Sequence, residues 1–361
     1  MTEPAGWHTL RVDHFADAGR SDLILDAVRP LFGELSGQVG AAYFLQHWRR
    51  GPHLRLNVLT TPEVLDAVVL PAADRTVGAH LRERPSRSAL DVRALLPRHR
   101  ELAAVELDDR PLGPPSTDNT LSTEPYDSRA GVLGGPAAAA LIAGFYVAAN
   151  PAAFSALEAA RAERQRLWAA FDLMAATAHL FSGGGVSRGY VSFRAHADTH
   201  LTRTADQRRT RAAWDRLHRA AAPALAGRLR QVVTAVDSCG GPPHVRDWAA
   251  ALRTVREPAL ALADAGGLTM DHPSRPARGS TPFLRELLAN EDFQLRMKTS
   301  VPFRRYRLLL NLLYLQLTRI GIRPDERYLL CHLVAGTVED AYGVDAATVV
   351  RETSAALREQ R

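Results

Sequence analysis

Several features that would assign a function directly are scarce or missing in this chain. Its 361 residues include two cysteines, Cys239 and Cys331, which match no spacing of a metal or redox motif. This scarcity excludes a disulfide scaffold and favours a reducing compartment. No apolar run reaches the roughly 18 residues of a membrane span. The N-terminal stretch MTEPAGWHTL lacks the pattern of a secretory signal. We therefore predict a cytoplasmic protein with no membrane partner.

Lysine is almost absent, since Lys298 is the only one and arginine supplies nearly all of the formal charge of +6. A basic chain often binds nucleic acid. Here the arginines are spread along the sequence and accompany no zinc finger, ribonucleoprotein motif or long basic tail. We therefore expect no nucleic-acid partner, and an acidic peptide suits this charge better.

The motifs of phosphate, dinucleotide and hydrolase sites are also missing. The glycine-rich run at 182–185 is followed by no Gly-Lys-Ser/Thr, has no GxGxxG spacing, and the chain has no GxSxG elbow. The segment His196-Ala-Asp-Thr-His200 would place three possible metal ligands on one face of a strand. No HExxH motif or cysteine pair accompanies it, so we predict no metal site.

What is present favours an α+β fold. A strand is predicted over 7–15, a helix over 22–35, a hairpin over 43–59 around Gly51-Pro52, and another helix from Thr61-Pro62. This order predicts an N-terminal βαββ unit with an antiparallel or mixed sheet, packed by many helices.

Helical patterns dominate the rest of the chain. They cover 136–180, with a break at Asn150-Pro151, then 205–237 and the last third. A glycine-rich turn is predicted to lead into a strand over 190–195. Long polar loops are predicted at about 106–130 and 266–281. We expect a single catalytic domain over 1–361.

The hairpin carries a candidate binding face. Its second arm alternates apolar Leu54, Leu56 and Val58 with polar residues, so one face would cover a core. The opposite face would carry four cationic or imidazole side chains: His47, Arg49, His53 and Arg55. Such a face can hold an anionic or carbonyl-rich substrate, and a solvated basic face is the alternative.

The closing helices carry a candidate catalytic pocket. Ser300 precedes Val301-Pro302 as an N-cap, and the predicted helix ends near Arg319 because Gly321 follows. A second helix is predicted from Asp325 to Gly343. Together they could present four side chains to one pocket: Ser300, Tyr306, Tyr314 and His332. The alternative is ordinary packing of a cap, core tyrosines and a buried histidine.

Four blocks, in order, resemble a known family. After Trp7 they are FLQHWRRGPHLRL at 44–56, YDSRAGVLGG at 126–135, GYVSFRAH at 189–196 and LLCHLVAG at 329–336. Together they make the chain similar to the C-terminal elimination domain of lantibiotic dehydratases, including the stand-alone thiopeptide-type bacteriocin biosynthesis proteins. The resemblance covers most of the chain and implies that fold.

The second block departs from the family pattern. The family's glutamate falls on Arg129, its arginine on Val132 and its tyrosine on Leu133. In the family, the members that carry these three residues are enzymes that expel glutamate from a glutamylated serine or threonine. The closing helices are more similar to the thiopeptide pyridine synthases, which resemble the elimination domain.

The resemblance implies a lyase-type macrocyclase. It would join two dehydroalanines of a leader-bearing, ribosomally made precursor peptide by a formal aza-[4+2] cycloaddition, with loss of water and leader. No metal or organic cofactor is implied. The implied partners are that peptide and other enzymes of the pathway. A split glutamate-eliminating lyase and a non-catalytic precursor-binding protein are the alternatives.

The implied chemistry assigns roles to residues. A proton donor at a carbonyl and an acceptor for an N–H are needed. The expected catalytic residues are Ser300, Tyr306 and His332, with Tyr190 and Tyr314 behind them. The expected peptide-binding residues are His53, Arg55, Arg194 and Ser192.

Overall fold

A computed structural model describes residues 4–163, 165–238, 240–268 and 279–358. Two units can be distinguished: Met1–Arg161 with Leu262–Pro273, and Ala162–Ala261 with Ser274–Arg361. The division into two units does not test whether residues 1–361 form the single catalytic domain predicted above, so that statement stays a prediction. Of the predicted loop at 266–281, residues 269–278 lie outside the described part, as does Cys239.

The first unit contains an antiparallel sheet in the order β2-β3-β1-β4. Its strands are β1 (Gly6–Asp13), β2 (Ala41–His47), β3 (His53–Thr60) and β4 (Thr120–Glu124). The predicted first strand and hairpin are confirmed. Strand β4 was not predicted, because it lies inside the polar stretch 106–130 that the sequence indicated as a loop.

Helices of the first unit follow strands β1, β3 and β4, whereas β2 leads directly into β3. The first is α1 (Arg20–Leu23), which continues through a π-helical turn (Ile24–Val28) into α2 (Arg29–Leu35). After β3 the same alternation gives α3 (Pro62–Val64), a π turn (Leu65–Val69), α4 (Leu70–Ala73), a π turn (Asp74–Gly78) and α5 (Ala79–Glu83). The others are α6 (Val92–Val105), α7 (Ala130–Leu133), α8 (Pro136–Ala148) and α9 (Asn150–Ala162). The predicted βαββ start is therefore confirmed.

The described part of the second unit is helical. Its helices are α10 (Arg166–Phe181), α11 (Val186–Gly189), α12 (Val191–Leu201), α13 (Gln207–Asp237), α14 (Pro243–Asp264), α15 (Pro282–Ala289), α16 (Glu291–Thr299), α17 (Val301–Arg319), α18 (Pro324–Tyr342) and α19 (Ala346–Arg358). The predicted α+β class with many packing helices is confirmed.

The strand predicted over 190–195 is wrong, because this segment begins helix α12. Its β-branched and aromatic residues favour a strand locally. Besides Phe193, however, the buried positions of α12 recur at helical spacing: Val191, Arg194, Ala197, Asp198 and Leu201. The tertiary environment therefore overrides the local preference. The consequence for the site is that residues 194 and 198 share a face, one helical turn apart.

Both predicted closing helices are confirmed. Helix α17 follows Ser300 at the N-cap position and ends at Arg319. Helix α18 ends at Tyr342, and Gly343 after it adopts the left-handed conformation at φ 61°. The Ser300 hydroxyl makes no capping bond to its own helix. It is therefore not committed to the structural role that an N-cap serine usually has.

No single helix in the described ranges is long and apolar enough to cross a membrane. Helices α8 and α9 pass that test only as a pair, by length and composition, and they meet at a bend of 46°.

Candidate functional site

A cavity of about 430 Å³ lies in the second unit. Helices α12, α13 and α18 supply most of its lining, with residues from the starts of α15 and α19. Most of the lining is charged or imidazole-bearing: Arg194, Asp198, Arg211, Asp215, His218, Arg219, His332, Glu339, Asp340 and Asp345. Such a lining suits a polar ligand rather than an apolar one.

Arg194 of α12 is the centre of this lining and is 8% exposed. Its Nε donates to Glu339 Oε1 at 3.1 Å, and one terminal nitrogen donates to the other Glu339 oxygen. Its second terminal nitrogen donates to His332 Nδ1 at 3.2 Å. The forked geometry of the guanidinium therefore holds a carboxylate and an imidazole, both from α18, next to each other.

The contact with Arg194 also fixes the proton on His332. A guanidinium has donors only, so Nδ1 must accept and the ring proton is on Nε2. Nε2 faces Asp215 Oδ1 at 3.1 Å and donates to it. Burial, followed by the charges of Arg194 and Arg211, lowers the pKa of His332 to about 3. His332 is thus a neutral imidazole with a defined tautomer.

Tyr190 lies beside this network. The side chain is fully buried, and its hydroxyl has no hydrogen-bond partner in the described part of the chain. Burial raises its pKa, and the carboxylates of Glu339 and Asp345 raise it further. Tyr190 therefore keeps its proton, and its hydroxyl is a neutral donor close to the cavity lining.

The predicted catalytic residues of α17 do not join this cavity. Tyr306 is 3% exposed, and its hydroxyl donates to the carbonyl of Gly189 at 2.9 Å. Ser300 is half-buried at the N-terminus of the same helix. Tyr314 contacts His196 and Cys331 instead. Of the nine predicted site residues, the described cavity lining includes Arg194 and His332.

Ser192 on α12 is half-buried and is outside that lining. The sequence indicated Asp198 only as a possible metal ligand, and it did not reveal Arg211 and Asp215 of α13. No motif contains Arg211 or Asp215, and their proximity to Arg194 and His332 depends on how α12, α13 and α18 pack. The concentration of charged residues over 206–219, in the first half of the helix predicted over 205–237, was an available signal.

Residues 196–200 do not gather around one point. His196 contacts Tyr314, Asp198 accepts from Arg211, and His200 stacks on Tyr328 with ring centroids 4.2 Å apart. Asp198 leaves α12 on a different face from His196 and His200, because the segment is helical and not extended. Among the described residues no group of three or more His, Cys, Asp or Glu side chains is placed to hold a metal ion.

The polar face of the sheet in the first unit is buried. His53 is 1% exposed and Arg55 is 8% exposed. Arg55 Nε lies 2.6 Å from Glu124 Oε1, and Arg11 donates to Asp13 and contacts His53 Nε2 at 3.2 Å. The alternative of a solvated basic face is therefore wrong.

Carboxylates from the stretch 106–127 cover this face. Asp108 binds Arg49 and Arg110, and Asp127 lies 2.8 Å from Arg110 and 3.8 Å from Arg55. Burial and the positive charge of Arg55 lower the pKa of His47, so its imidazole is neutral. The peptide-binding role of His53 and Arg55 stays a prediction, and these internal ion pairs would compete with any peptide.

Comparisons with known proteins identify the family of this chain. The family model described as "Lantibiotic biosynthesis dehydratase C-term" matches residues 7–338. The solved structure of "Pyridine synthase, TbtD, from thiomuracin biosynthesis" is 39% identical, with 94% of this chain and 99% of that chain covered and a TM-score of 0.77. A crystal structure of TsrL is 23% identical over 96% of this chain and 98% of that chain, with a TM-score of 0.73. No curated protein matches significantly.

The chain therefore belongs to the lantibiotic dehydratase C-terminal family. The resemblance predicted from the four sequence blocks is confirmed. The TsrL match supports the fold alone, and the TbtD match extends over nearly the full length of both chains.

Proposed function

We propose that this chain is a thiopeptide pyridine synthase. The observation that carries the proposal is the 39% identity to the thiomuracin pyridine synthase over nearly the whole of both chains. The departures at Arg129, Val132 and Leu133 argue against the glutamate-eliminating alternative, since the charged residues of that activity are replaced.

The proposed substrate is a leader-bearing precursor peptide with two dehydroalanines. One dehydroalanine and the amide before it react as the imidic tautomer, C(OH)=N–C=CH₂, and the second supplies the alkene. Two carbon–carbon bonds form, and the six-membered ring retains one C=N bond. Loss of water and of the leader, which leaves as its C-terminal amide, adds two double bonds. These eliminations make the ring aromatic without an oxidant.

Positioning would supply most of the rate in such a reaction. Bringing two alkenes of a flexible peptide together can contribute about 7–11 kcal/mol. The protein then needs fixed hydrogen-bond donors at the reacting carbonyl and an acceptor for the N–H. Neutral, oriented groups meet this need better than exposed charged ones, because they require no reorganisation during the reaction.

The proposed chemical residues are Ser300, Tyr306 and His332, with Tyr190 and Tyr314 in support. An uncommitted Ser300 hydroxyl and the neutral, oriented His332 are compatible with these roles. Tyr306 would have to exchange its bond to Gly189 for one to the substrate. His332 would likewise have to exchange its hydrogen bond to Asp215 for one to the substrate, and the partial exposure of Asp215 permits this exchange.

The proposed peptide-binding residues are His53, Arg55, Arg194 and Ser192. In the first unit, the exchange of carboxylates would be the recognition step: acidic side chains of the leader would replace Glu124 or Asp127 on Arg55. Replacing one carboxylate by another keeps the buried guanidinium paired, so the exchange avoids the cost of an isolated charge.

The test is mass spectrometry after incubation with a leader-bearing peptide that contains two dehydroalanines. A pyridine synthase releases the leader and a macrocycle that has lost water. An unchanged peptide that co-elutes with the protein would indicate a non-catalytic binding protein. Dehydroalanine formed from a glutamylated serine peptide would indicate the eliminating lyase. A peptide with one dehydroalanine replaced by alanine is the matched control, since it binds through the same leader and cannot close.

A further inference from the structure

A chain of three side chains links α12, α17 and α18. The Tyr314 hydroxyl lies 2.5 Å from His196 Nδ1 and 3.5 Å from Cys331 Sγ. The rings of Tyr314 and His196 meet edge to face at 5.4 Å. Arg327 covers the Tyr314 ring at 4.7 Å. Cys331 and Arg327 thus hold Tyr314 in place, and Tyr314 contacts the His196 imidazole through both its hydroxyl and its ring.

All three groups are neutral. Burial raises the pKa of the Cys331 thiol to about 11, and burial together with Cys331 raises the pKa of Tyr314. Burial and the charges of Arg327 and Arg307 lower the pKa of His196 to about 4. Neither the thiol nor the phenol ionises near neutral pH, and the imidazole carries one proton.

The short bond indicates where that proton is. A phenol is a better donor than a neutral imidazole N–H, and the bare imidazole nitrogen is a better acceptor than a phenol oxygen. The Tyr314 hydroxyl therefore donates to His196 Nδ1, and the weakly donating Cys331 thiol faces the Tyr314 oxygen. In this arrangement the His196 proton is on Nε2.

The Nε2–H group of His196 is available to a ligand. The described hydrogen bonds leave Nε2 without a protein partner, and the side chain is half-buried rather than enclosed. His200, one turn further along α12, differs in that its ring is stacked between Tyr328 and Trp214. His196 thus combines a fixed tautomer with an unused donor.

We propose that His196 is a catalytic residue whose Nε2–H donates to the carbonyl oxygen of the dehydroalanine amide that reacts as its imidic tautomer. Tyr314 is then a positioning residue that acts through His196, and Cys331 supports Tyr314. As an acceptor takes the amide N–H proton, negative charge develops on the carbonyl oxygen, and His196 stabilises this charge by a hydrogen bond. The same acceptor returns the proton to that oxygen to give the C–OH group of the imidic tautomer, so His196 itself transfers no proton. A full transfer would leave a tyrosinate at Tyr314, which its surroundings disfavour. This inference rests on the proposed function.

The first experiment does not need turnover. Nitrogen-15 NMR of the wild-type protein labelled at histidine reports the tautomer of each ring, and the His196→Gln variant assigns the His196 signals. We expect a neutral Nε2–H ring at pH 7. An Nδ1–H ring or an imidazolium would overturn the proposal. Tyr314→Phe should mix the two tautomers, because the donor to Nδ1 is removed.

The second experiment is kinetic. His196→Phe removes the donor and should lower kcat by about 100-fold with little change in KM, the loss typical of one oxyanion donor. His196→Gln, which places an N–H near the Nε2 position, should recover part of that loss. His200→Gln is the matched control on the same helix. Wild-type kcat in His196→Phe would overturn the proposal.

The two experiments separate two failures. If the wild-type protein does not turn over the peptide with two dehydroalanines, the proposed function fails, and the catalytic role of His196 fails with it. If the wild-type protein turns over and His196→Phe matches it, only the inference about His196 fails. A folded His196→Phe variant is recognised by an unchanged affinity for the leader peptide.

Discussion

Acid should destabilise the second unit through His332. The imidazole is 4% exposed, Arg194 faces Nδ1, and its surroundings lower its pKa to about 3 from the ordinary value of 6.5. The folded state therefore resists a proton that the unfolded chain accepts. The stability gained by keeping His332 neutral is fully present above pH 6.5 and is lost as the pH falls towards 3.

The size of the loss follows from the two pKa values. At pH 5 the unfolded chain protonates this histidine almost completely and the folded protein does not, which lowers the free energy of unfolding by about 2 kcal/mol relative to pH 8. The groups that face His332 decide this value: Arg194 of α12, Asp215, Arg211 and His218 of α13, and Glu339 of α18.

The assay is urea unfolding at pH 8 and pH 5, followed by tryptophan fluorescence, since the Trp214 ring lies 5.5 Å from His332. His332→Gln cannot titrate, so its loss of stability between these pH values should be smaller than that of the wild type by about 2 kcal/mol. His8→Gln, at a half-buried position of β1, controls for loss of a histidine. An equal pH dependence in His332→Gln and the wild type would refute the reasoning.

Two further predictions concern stability and rate. Asp172→Ala should lower the free energy of unfolding, measured by urea denaturation, by about 3–5 kcal/mol, because this fully buried carboxylate pairs with Arg228 and His244. The control Glu163→Ala removes a more exposed partner of Arg228 and should lower the free energy of unfolding by less than about 1 kcal/mol. Tyr306→Phe and Ser300→Ala should each slow ring formation roughly tenfold or more in a mass-spectrometric time course while leader affinity stays near that of the wild type. A wild-type rate in either variant would remove that residue from the mechanism.

Much of the fold follows from local sequence pattern. The alternation of Leu54, Leu56 and Val58 predicts β3, and all three are fully buried. The proline after Ser300 and the glycine at 321 predict both ends of α17. These signals are local and agree with the tertiary environment, so they need no knowledge of distant residues.

The wrong predictions concern segments whose structure is determined by contacts with residues distant in the sequence. Residues 190–195 have strand propensity, and packing against α18 through Arg194 makes them helical. The basic face of β3 is buried because Glu124 and Asp127, far along the chain, cover Arg55. The periodicity of a segment does not reveal charge pairing of this kind with distant residues.

The candidate site shows the same division. The family motifs contain Arg194, His196 and His332, and from the sequence we predict roles for Arg194 and His332 but none for His196. The protonation states of the two histidines could not be predicted, because each depends on a partner from another helix: Asp215 for His332 and Tyr314 for His196. The chemistry of the site is therefore set by helix packing rather than by any one segment.

The central claim is that this chain closes a pyridine ring, and the chemical form of the released leader tests it most directly. Ring closure expels the leader with the nitrogen of the second dehydroalanine attached, so accurate-mass analysis should find a leader that ends in a primary amide, together with a dehydrated macrocycle. A leader that ends in a carboxylic acid, or a peptide that remains intact with active protein present, would contradict the claim.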